Sequence, residues 1–160
     1  MLSAKGKSGK LLNVEVVNRM IRLFALAALG SIAGLSLFAQ DSAVGLWKHT
    51  DKDKVVVFRV SEEGGKLSGQ IEKMSRGGKE VPEEKCVKCT GDLKDQPLFG
   101  LKMMWDLTKD GAGWGKGKIL DPDDGKTYNC KVELASGGKE LKVRGSIAFI
   151  GKTQTWSRME

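Results

Sequence analysis

The chain has 160 residues, of which 40% are hydrophobic and 29% are charged, and its formal net charge is +7. This length suits one compact domain together with a leader segment. Residues 40–160 hold 22 basic and 19 acidic residues, a net charge of +3, without a basic run interleaved with aromatic residues, and this pattern argues against nucleic-acid binding.

The N-terminal region has the layout of an export signal. The run Leu23–Leu37 carries no charge, Arg19 and Arg22 precede it, and the small residue Ala39 follows it. A bilayer span needs about 20 apolar residues, so this run is short for one, and no cysteine follows it to carry a lipid anchor. We predict that residues 1–39 form an export signal region with an apolar signal helix, cleaved after Ala39, which would leave a periplasmic or secreted protein without a stable membrane span. The alternative is an uncleaved membrane anchor.

The start of this signal also bears on where translation begins. Residues 1–19 fit poorly ahead of a secretory signal, whereas Met20–Leu26 would be a compact signal start by itself. We therefore predict that Met20 is the true first residue.

Residues 40–160 contain short strand-like runs at roughly even spacing. Apolar residues alternate with polar ones, or valine and phenylalanine cluster, and we find no window with the 3.6-residue period of an amphipathic helix. Glycine pairs and an Asp-Pro-Asp-Asp-Gly sequence mark turns between the runs. The predicted strands are 44–48, 54–60, 66–74, 98–105, 113–120, 126–134 and the two strands of a hairpin over 140–158.

Eight strands in an up-and-down order predict an all-β fold, a single small antiparallel β-barrel over residues 40–160. The last strand has no helix after it, so it must pair with an earlier strand, and we predict that its partner is the first strand, 44–48. Gly45, Trp47, Trp156 and Arg158 are the residues expected at this closure. A two-sheet sandwich is the alternative architecture.

Several spaced motifs resemble an exported bacterial family named domain of unknown function 2147, over about residues 44–159. The motifs are Gly45-Leu-Trp47, the stretch 117–128, Val143-Arg-Gly145 and the stretch 151–158. The resemblance implies a small secreted β-barrel-like domain with no established reaction. The Gly-x-Trp opening is also similar to the lipocalin and fatty-acid-binding-protein superfamily, and this implies that Arg158 or Arg144 covers Trp47.

The three cysteines leave several pairings open. Cys86-x-x-Cys89 lies in a long segment, 75–97, that interrupts the strand rhythm, and Cys130 lies on a predicted strand. Cysteines of an exported protein usually pair: either Cys86 with Cys89, which would leave Cys130 buried and free, or one of the two with Cys130. A zinc site would need a fourth ligand such as His49 or an acid. A thioredoxin-type thiol would need a helix after Cys89, and none is predicted.

Aromatic residues are the candidates for the barrel interior. We expect Trp47 and Trp156 in the core, because they lie on the two strands that close the barrel. Trp114 lies between Gly113 and Gly115, which leave it few immediate packing neighbours, and this favours a cavity or rim position. The other candidate ligand-binding residues are Trp105, Tyr128 and Arg144.

Other polar clusters have a structural interpretation. The acids of Asp121-Pro-Asp-Asp-Gly125 suit a hairpin turn better than a calcium loop, since the later bidentate glutamate is missing. His49, the only histidine, has no evident nucleophile beside it. Gly113-x-Gly115-x-Gly117 precedes no helix and so is not a phosphate loop. We therefore expect no catalytic residue, no metal and no cofactor.

These observations predict an exported, non-enzymatic small barrel that binds a small apolar or amphipathic ligand or an envelope partner. One alternative is a structural or stress-related envelope protein with a filled barrel, whose 75–97 segment contacts a protein partner. Another is a redox or metal-handling protein that uses the three cysteines.

Overall fold

The computed structural model describes residues 42–160, so the predicted export signal and the alternative start at Met20 lie outside the described residues. Within residues 42–160 the fold is all-β. Two single turns of 3-10 helix, Gly91–Leu93 and Ser136–Gly138, interrupt the strands. The strands are β1 Gly45–Asp51, β2 Lys54–Glu63, β3 Lys66–Arg76, β4 Lys79–Glu80, β5 Lys102–Asp110, β6 Gly113–Asp121, β7 Lys126–Ala135, β8 Glu140–Ile147 and β9 Ile150–Arg158.

Eight of these strands form a closed antiparallel barrel. Their order round the barrel is β1-β2-β3-β5-β6-β7-β8-β9, and β9 returns to pair with β1 through Trp47 opposite Arg158 and Lys48 opposite Ser157. The two-residue strand β4 only extends the end of β3. The predicted barrel is therefore confirmed over the sandwich, with a short ninth strand added. In the part of the chain that the structure describes, no helix has the length and hydropathy of a transmembrane span.

Alternation of side chains fixes which face of each strand turns inward. In β7, Cys130 and Val132 are buried while Lys131 and Glu133 are exposed, as a strand with one wet face requires. The turn from β2 to β3 uses Gly64 and Gly65 with φ of 58° and 75°, the left-handed values that two-residue hairpin turns need.

The segment between β3 and β5 differs from the prediction. β3 continues to Arg76, and β5 begins at Lys102 rather than at Leu98. Leu98 is apolar and buried, as in a strand, but its N–H donates to the carbonyl of Glu84 within the same connecting segment. The apolar run 98–105 therefore contains the buried end of a loop, 98–101, followed by the start of β5. The alternation of apolar and polar residues does not distinguish these two parts.

The cysteines adopt the first of the predicted pairings. Cys86 and Cys89 form a disulfide with a Cα–Cα distance of 5.3 Å, both are buried, and Cys130 is free and buried on β7. The disulfide closes a tight ring inside the connecting segment. The alternative cross-link to Cys130 is wrong, because the two sulfurs of the ring are already paired.

Candidate functional site

The two ends of the barrel differ. The end that carries the β2–β3, β5–β6 and β7–β8 turns is packed solid with large side chains, which include Trp47, Leu67, Leu107, Leu141 and Trp156, each at most 1% exposed. We call this the closed end. Interiors packed in this way leave no room for a guest molecule.

Arg158 holds the closed end together. Its guanidinium lies 4.2 Å above the ring of Trp47 and donates hydrogen bonds to the carbonyl oxygens of Gly138 at 2.6 Å, Ser42 at 2.6 Å and Val44 at 3.2 Å. The indole N–H of Trp47 donates to a further carbonyl, that of Ala43, at 2.8 Å. Gly45 allows this approach, because a Cβ at that position would lie 3.1 Å from the guanidinium.

The opposite end opens into a cavity of about 480 Å³. Ligand pockets for small molecules generally have volumes of roughly 300–1,000 Å³, so this cavity has the size of one such site. Apolar side chains from β2, β3, β5, β6 and β8, and from the segment before β5, make its wall: Val56, Phe58, Ile71, Met74, Leu98, Met103, Ile119, Leu120 and Val143.

Polar side chains lie along much of the mouth of the cavity, mainly on β1, β7 and β9 and in the β6–β7 turn. They are His49, Asp51, Lys54, Asp121, Asp123, Tyr128, Lys152 and Gln154. β1 and β9 change from apolar to polar along their inward positions from the closed end to the mouth, whereas the lining residues of β8 are not polar (Val143, Gly145 and Ile147). β1 runs from Trp47 to His49 and Asp51, and β9 runs outward from Trp156 to Gln154 and Lys152.

An ion pair crosses the mouth. The Nζ of Lys54 donates to both carboxylate oxygens of Asp123, at 2.7 and 2.8 Å. Lys54 begins β2 and Asp123 lies in the β6–β7 turn, and these strands are three places apart round the barrel. Asp123 remains 66% exposed, and exposed ion pairs contribute only about 0–1 kcal/mol. The pair can therefore open at little cost.

The disulfide ring lies against the same turn. Lys88, inside the ring, donates from Nζ to the carbonyl of Asp123 at 2.6 Å. The carbonyl of Lys88 is so close to Gly125 that a Cβ there would lie 1.9 Å from it, and Gly125 has a φ of 73°. Only glycine satisfies both conditions, so the connecting segment and the β6–β7 turn are fitted to each other at the mouth.

Of the predicted ligand-binding residues, the structure places Tyr128 at the cavity. Its ring lines the mouth and its hydroxyl donates to the carboxylate of Asp124. That hydrogen bond to a carboxylate raises the pKa of Tyr128 above its ordinary value.

Trp114 does not line the cavity. It is 4% exposed, and Lys109 Nζ lies 3.7 Å from its ring centroid. The flanking glycines have the reverse of the predicted effect. A Cβ at Gly113 would lie 2.4 Å from the carbonyl of Val132, so the missing side chain lets β7 approach closely. The backbone of Val132 fills the space at Gly113 and the side chain of Asp110 fills the space at Gly115, and Trp114 between them is buried.

Trp105 and Arg144 also lie away from the cavity. Trp105 is opposite Lys118 on the outer face of the barrel and is only partly buried. Arg144 is exposed on β8, where it donates to the hydroxyl of Thr153 at 3.4 Å. It does not cover Trp47, a position that Arg158 occupies.

Most of the polar residues at the mouth of the cavity were not predicted as ligand-binding residues from the sequence. His49, Asp51, Lys152 and Gln154 share the inward parity of Trp47 and Trp156. A change from tryptophan to polar residues along one face of both terminal strands was the available signal. Polar residues at inward positions of a strand indicate that this part of the barrel is wet.

The cysteines and acids offer no metal centre in the described part of the chain. No group of three His, Cys, Asp or Glu side chains in residues 42–160 is arranged to hold an ion. The disulfide also removes the thiolates of Cys86 and Cys89 as ligands. Cys130 lies apart, and burial raises the pKa of its thiol to about 12.

Comparison with known proteins shows which family this barrel belongs to. The sequence profile of the family described as "Uncharacterized protein conserved in bacteria (DUF2147)" matches residues 45–158. The chain belongs to this family. A search of curated proteins found no match to it.

A solved structure extends the comparison beyond the DUF2147 family. A Helicobacter pylori protein described as belonging to the lipocalin family is 25% identical to this chain, with a TM-score of 0.65. The match covers 74% of this chain and 84% of the Helicobacter protein. The predicted similarity to lipocalin barrels is thereby confirmed at the level of the fold.

Proposed function

We propose that this DUF2147 barrel binds one small apolar or amphipathic molecule in its cavity. The observation that carries the proposal is a space of about 480 Å³ with an apolar wall, closed at one end and open at the other. Empty apolar volume of this size costs packing energy, and an apolar guest would recover it. A filled barrel, which the structural alternative requires, does not fit this interior.

The gradient along the strands indicates how such a guest would lie. Its apolar part would occupy the wall formed by residues such as Phe58, Ile71 and Ile119, and its polar group would remain at the mouth. Lys152 and Asp51 offer opposite charges there. An amphipathic molecule therefore satisfies both zones, because buried polar groups need partners and apolar groups need burial.

The residues around the cavity suit a protein that binds its ligand and does not catalyse a reaction on it. The lining of the cavity contains no serine, threonine or cysteine, so a nucleophile of the Ser–His or Cys–His kind is missing from it. His49 lies 3.2 Å from the backbone carbonyl of Thr155 through Nδ1, which gives it a structural partner at the barrel wall.

Gly145 provides the sharpest test. It lines the cavity, its φ is not left-handed, and a Cβ there would make ordinary contacts of 3.5 Å with Ile119 and Tyr128. A Gly145→Phe variant therefore places a ring in the cavity without backbone strain. Thr155→Phe, which adds a ring on the exposed outer face of β9, is the matched control.

The measurement is isothermal titration calorimetry with saturated fatty acids and lysophospholipids of increasing chain length. We expect binding by the wild type and by Thr155→Phe, and a loss of roughly tenfold or more in Gly145→Phe, since the ring removes apolar contact area. Equal affinity in both variants, or no binding by the wild type at any chain length, would refute the proposal.

We also infer export to the periplasm or the medium. The apolar run Leu23–Leu37, between Arg22 and Ala39, supports this inference. N-terminal sequencing of protein recovered from the cell envelope should begin at Gln40. Recovery of the uncleaved chain from the cytoplasm would contradict it.

A further inference from the structure

The tip of the β8–β9 hairpin exposes an unusual amount of apolar surface. Phe149 is fully exposed, Ile150 is 84% exposed and Ile147 is 51% exposed. These three large apolar residues lie within four positions round one turn, and the fourth residue, Ala148, has a φ of 52°. Water-exposed apolar residues are ordinary when scattered, but a contiguous group marks a contact surface.

The same hairpin carries a one-sided charge. From Glu140 to Arg158 it contains Lys142, Arg144, Lys152 and Arg158 and one acidic residue, Glu140, at the end of β8 far from the tip. This excess of three equals the net charge of +3 over residues 40–160, so the rest of that region is neutral overall. Arg144 and Lys152 lie on the strands just below the apolar tip and take part in no ion pair among the described residues.

An apolar tip above a belt of cations matches the layers of an anionic lipid surface. Acyl chains accept phenylalanine and isoleucine side chains, and the phosphate groups above them attract lysine and arginine. The tip is also continuous with the cavity, because Ile147 and Ile150 line it while remaining exposed. A lipid surface reached by the tip would thus touch the edge of the mouth.

We propose that the β8–β9 tip inserts into an anionic lipid bilayer, with Phe149 and Ile150 among the acyl chains and Arg144 and Lys152 at the level of the phosphates. The bilayer contact does not depend on which molecule occupies the cavity. A protein partner or a second copy of this chain would need a broader surface than one turn of a hairpin.

The test uses the purified protein with a nitroxide spin label at Ala148→Cys. Cys130 is buried, and the other two cysteines are paired, so the label goes to the new thiol. The matched control carries the label at Glu63→Cys, in the β2–β3 turn at the closed end. Both proteins share the same N-terminus, so any membrane affinity of that region affects them equally.

Vesicles of phosphatidylcholine with phosphatidylglycerol should give the label at 148 the oxygen accessibility of an acyl-chain environment, whereas the label at 63 should remain in water. Phe149→Ser with Ile150→Ser should weaken vesicle binding roughly tenfold or more, because two apolar side chains no longer leave water. Val44→Ser, which removes a 40% exposed apolar side chain near the closed end, should leave binding unchanged.

The charges are tested separately. Arg144→Gln with Lys152→Gln should abolish the preference for phosphatidylglycerol over pure phosphatidylcholine and the dependence on salt. Lys48→Gln with Lys139→Gln, which removes the same charge elsewhere, should keep both.

Three results would overturn the proposal: a label at 148 that stays in water on bound vesicles, equal binding by the Phe149 and Ile150 variant, or concentration-dependent dimers of the wild type that this variant abolishes. Ligand binding by the cavity is read by calorimetry without vesicles. Failure of that function is therefore distinguishable from failure of the membrane contact.

Discussion

Arg158 concentrates more interactions than any other side chain described at the closed end. It joins β9 to the carbonyls of Ser42 and Val44 before β1, to the indole ring of Trp47 on β1, and to the carbonyl of Gly138 before β8. Hydrogen bonds to charged groups contribute about 1.5–3 kcal/mol each, and of these three the one to Gly138 is partly buried while the other two are exposed. One side chain therefore contributes much of the seal between β1 and β9.

We predict that Arg158→Gln lowers the free energy of unfolding by about 2–4 kcal/mol, because the carbonyls of Gly138 and Ser42 lose their donor and the contact with Trp47 is lost. Urea unfolding measures it. Arg144→Gln is the matched control and should change stability by less than about 0.5 kcal/mol, since Arg144 is exposed with one long hydrogen bond. Similar losses in both variants would contradict the role given to Arg158.

The buried thiol of Cys130 should make the stability of the protein depend on pH. Burial raises the pKa of its thiol from 9.0 to about 12. Above pH 9 the unfolded chain therefore releases this proton while the folded chain keeps it. The contribution of the Cys130 thiol to the free energy of unfolding is fully present below pH 9 and is lost as the pH rises towards 12. Between pH 8 and pH 10 the free energy of unfolding should fall by about 1.4 kcal/mol from this group.

Cys130→Ala isolates that contribution. The variant will be less stable at all pH values because of the lost packing, but the difference from wild type should shrink by about 1.4 kcal/mol between pH 8 and pH 10. A difference that is constant with pH would show that the thiol is not protected in the fold. Titration of Tyr128 affects both proteins and cancels.

At the scale of single elements, strands were easier to predict than the position of a residue along them. In β7 the alternation of Tyr128, Cys130, Val132 and Leu134 gave both the strand and its inward face. In β6 the register shifts between Trp114 and Gly117, and Lys116 has a φ of 62°. Regular alternation cannot be followed across such an irregularity, so Trp114 was assigned to the wrong part of the interior.

Depth along the barrel was the second quantity that sequence did not supply. Alternation tells which side chains point inward, but Trp156 at the closed end and Lys152 at the mouth have the same parity. Which end is packed depends on how side chains from all eight strands meet, and those contacts are distant in sequence. The cavity was therefore expected as a possibility, while most of its lining, apart from Tyr128, was not.

The β6–β7 turn and the disulfide ring should respond together to a change at Gly125. We predict that Gly125→Ala lowers the free energy of unfolding by about 3 kcal/mol or more, because the left-handed φ and the clash with the Lys88 carbonyl add. Gly137→Ala is the control. Its φ of 64° is similar, but a Cβ there meets nothing within 4 Å, so it should cost only about 1–2 kcal/mol. Equal costs, measured by urea unfolding, would show that the ring is not fitted to the turn.

Loss of the disulfide should act locally. The ring between Cys86 and Cys89 spans few residues, and the chain-entropy treatment gives about 2 kcal/mol or less for so short a loop. In Cys86→Ala with Cys89→Ala we expect faster amide hydrogen exchange across 84–98 and unchanged exchange in β7 and β8. Uniformly faster exchange in all strands would instead mean that the ring supports the whole barrel.

At the scale of the whole molecule, the barrel is closed by residues more than 100 positions apart. Trp47 and Arg158 are paired in register, and the Arg158 side chain reaches the carbonyl of Ser42 at 2.6 Å. Such distant contacts slow folding, because a long loop must be closed before they form. They also bring Ser42 and Glu160 to the same end of the described barrel.

A circular permutant should therefore keep the fold. A short Gly-Ser linker from Glu160 to Ser42, with new ends between Gly64 and Gly65, changes only exposed turns and should preserve the circular dichroism spectrum and cooperative unfolding. New ends between Gly145 and Ser146, inside β8, are the control and should prevent folding. A permutant opened at Gly64 that fails to fold would show that the turn itself is needed to start the barrel.

Phe58 connects the two halves of the interior. Phe58 lines the cavity, and its ring stacks on Trp156 with ring centroids 3.9 Å apart and an angle of 13° between the planes. A guest that shifts Phe58 must also change the surroundings of the indole, whose N–H donates to Gln154 at 3.1 Å. Intrinsic fluorescence can therefore report on the cavity without an added dye. The emission of Trp156 should change in wavelength or in yield when a guest enters.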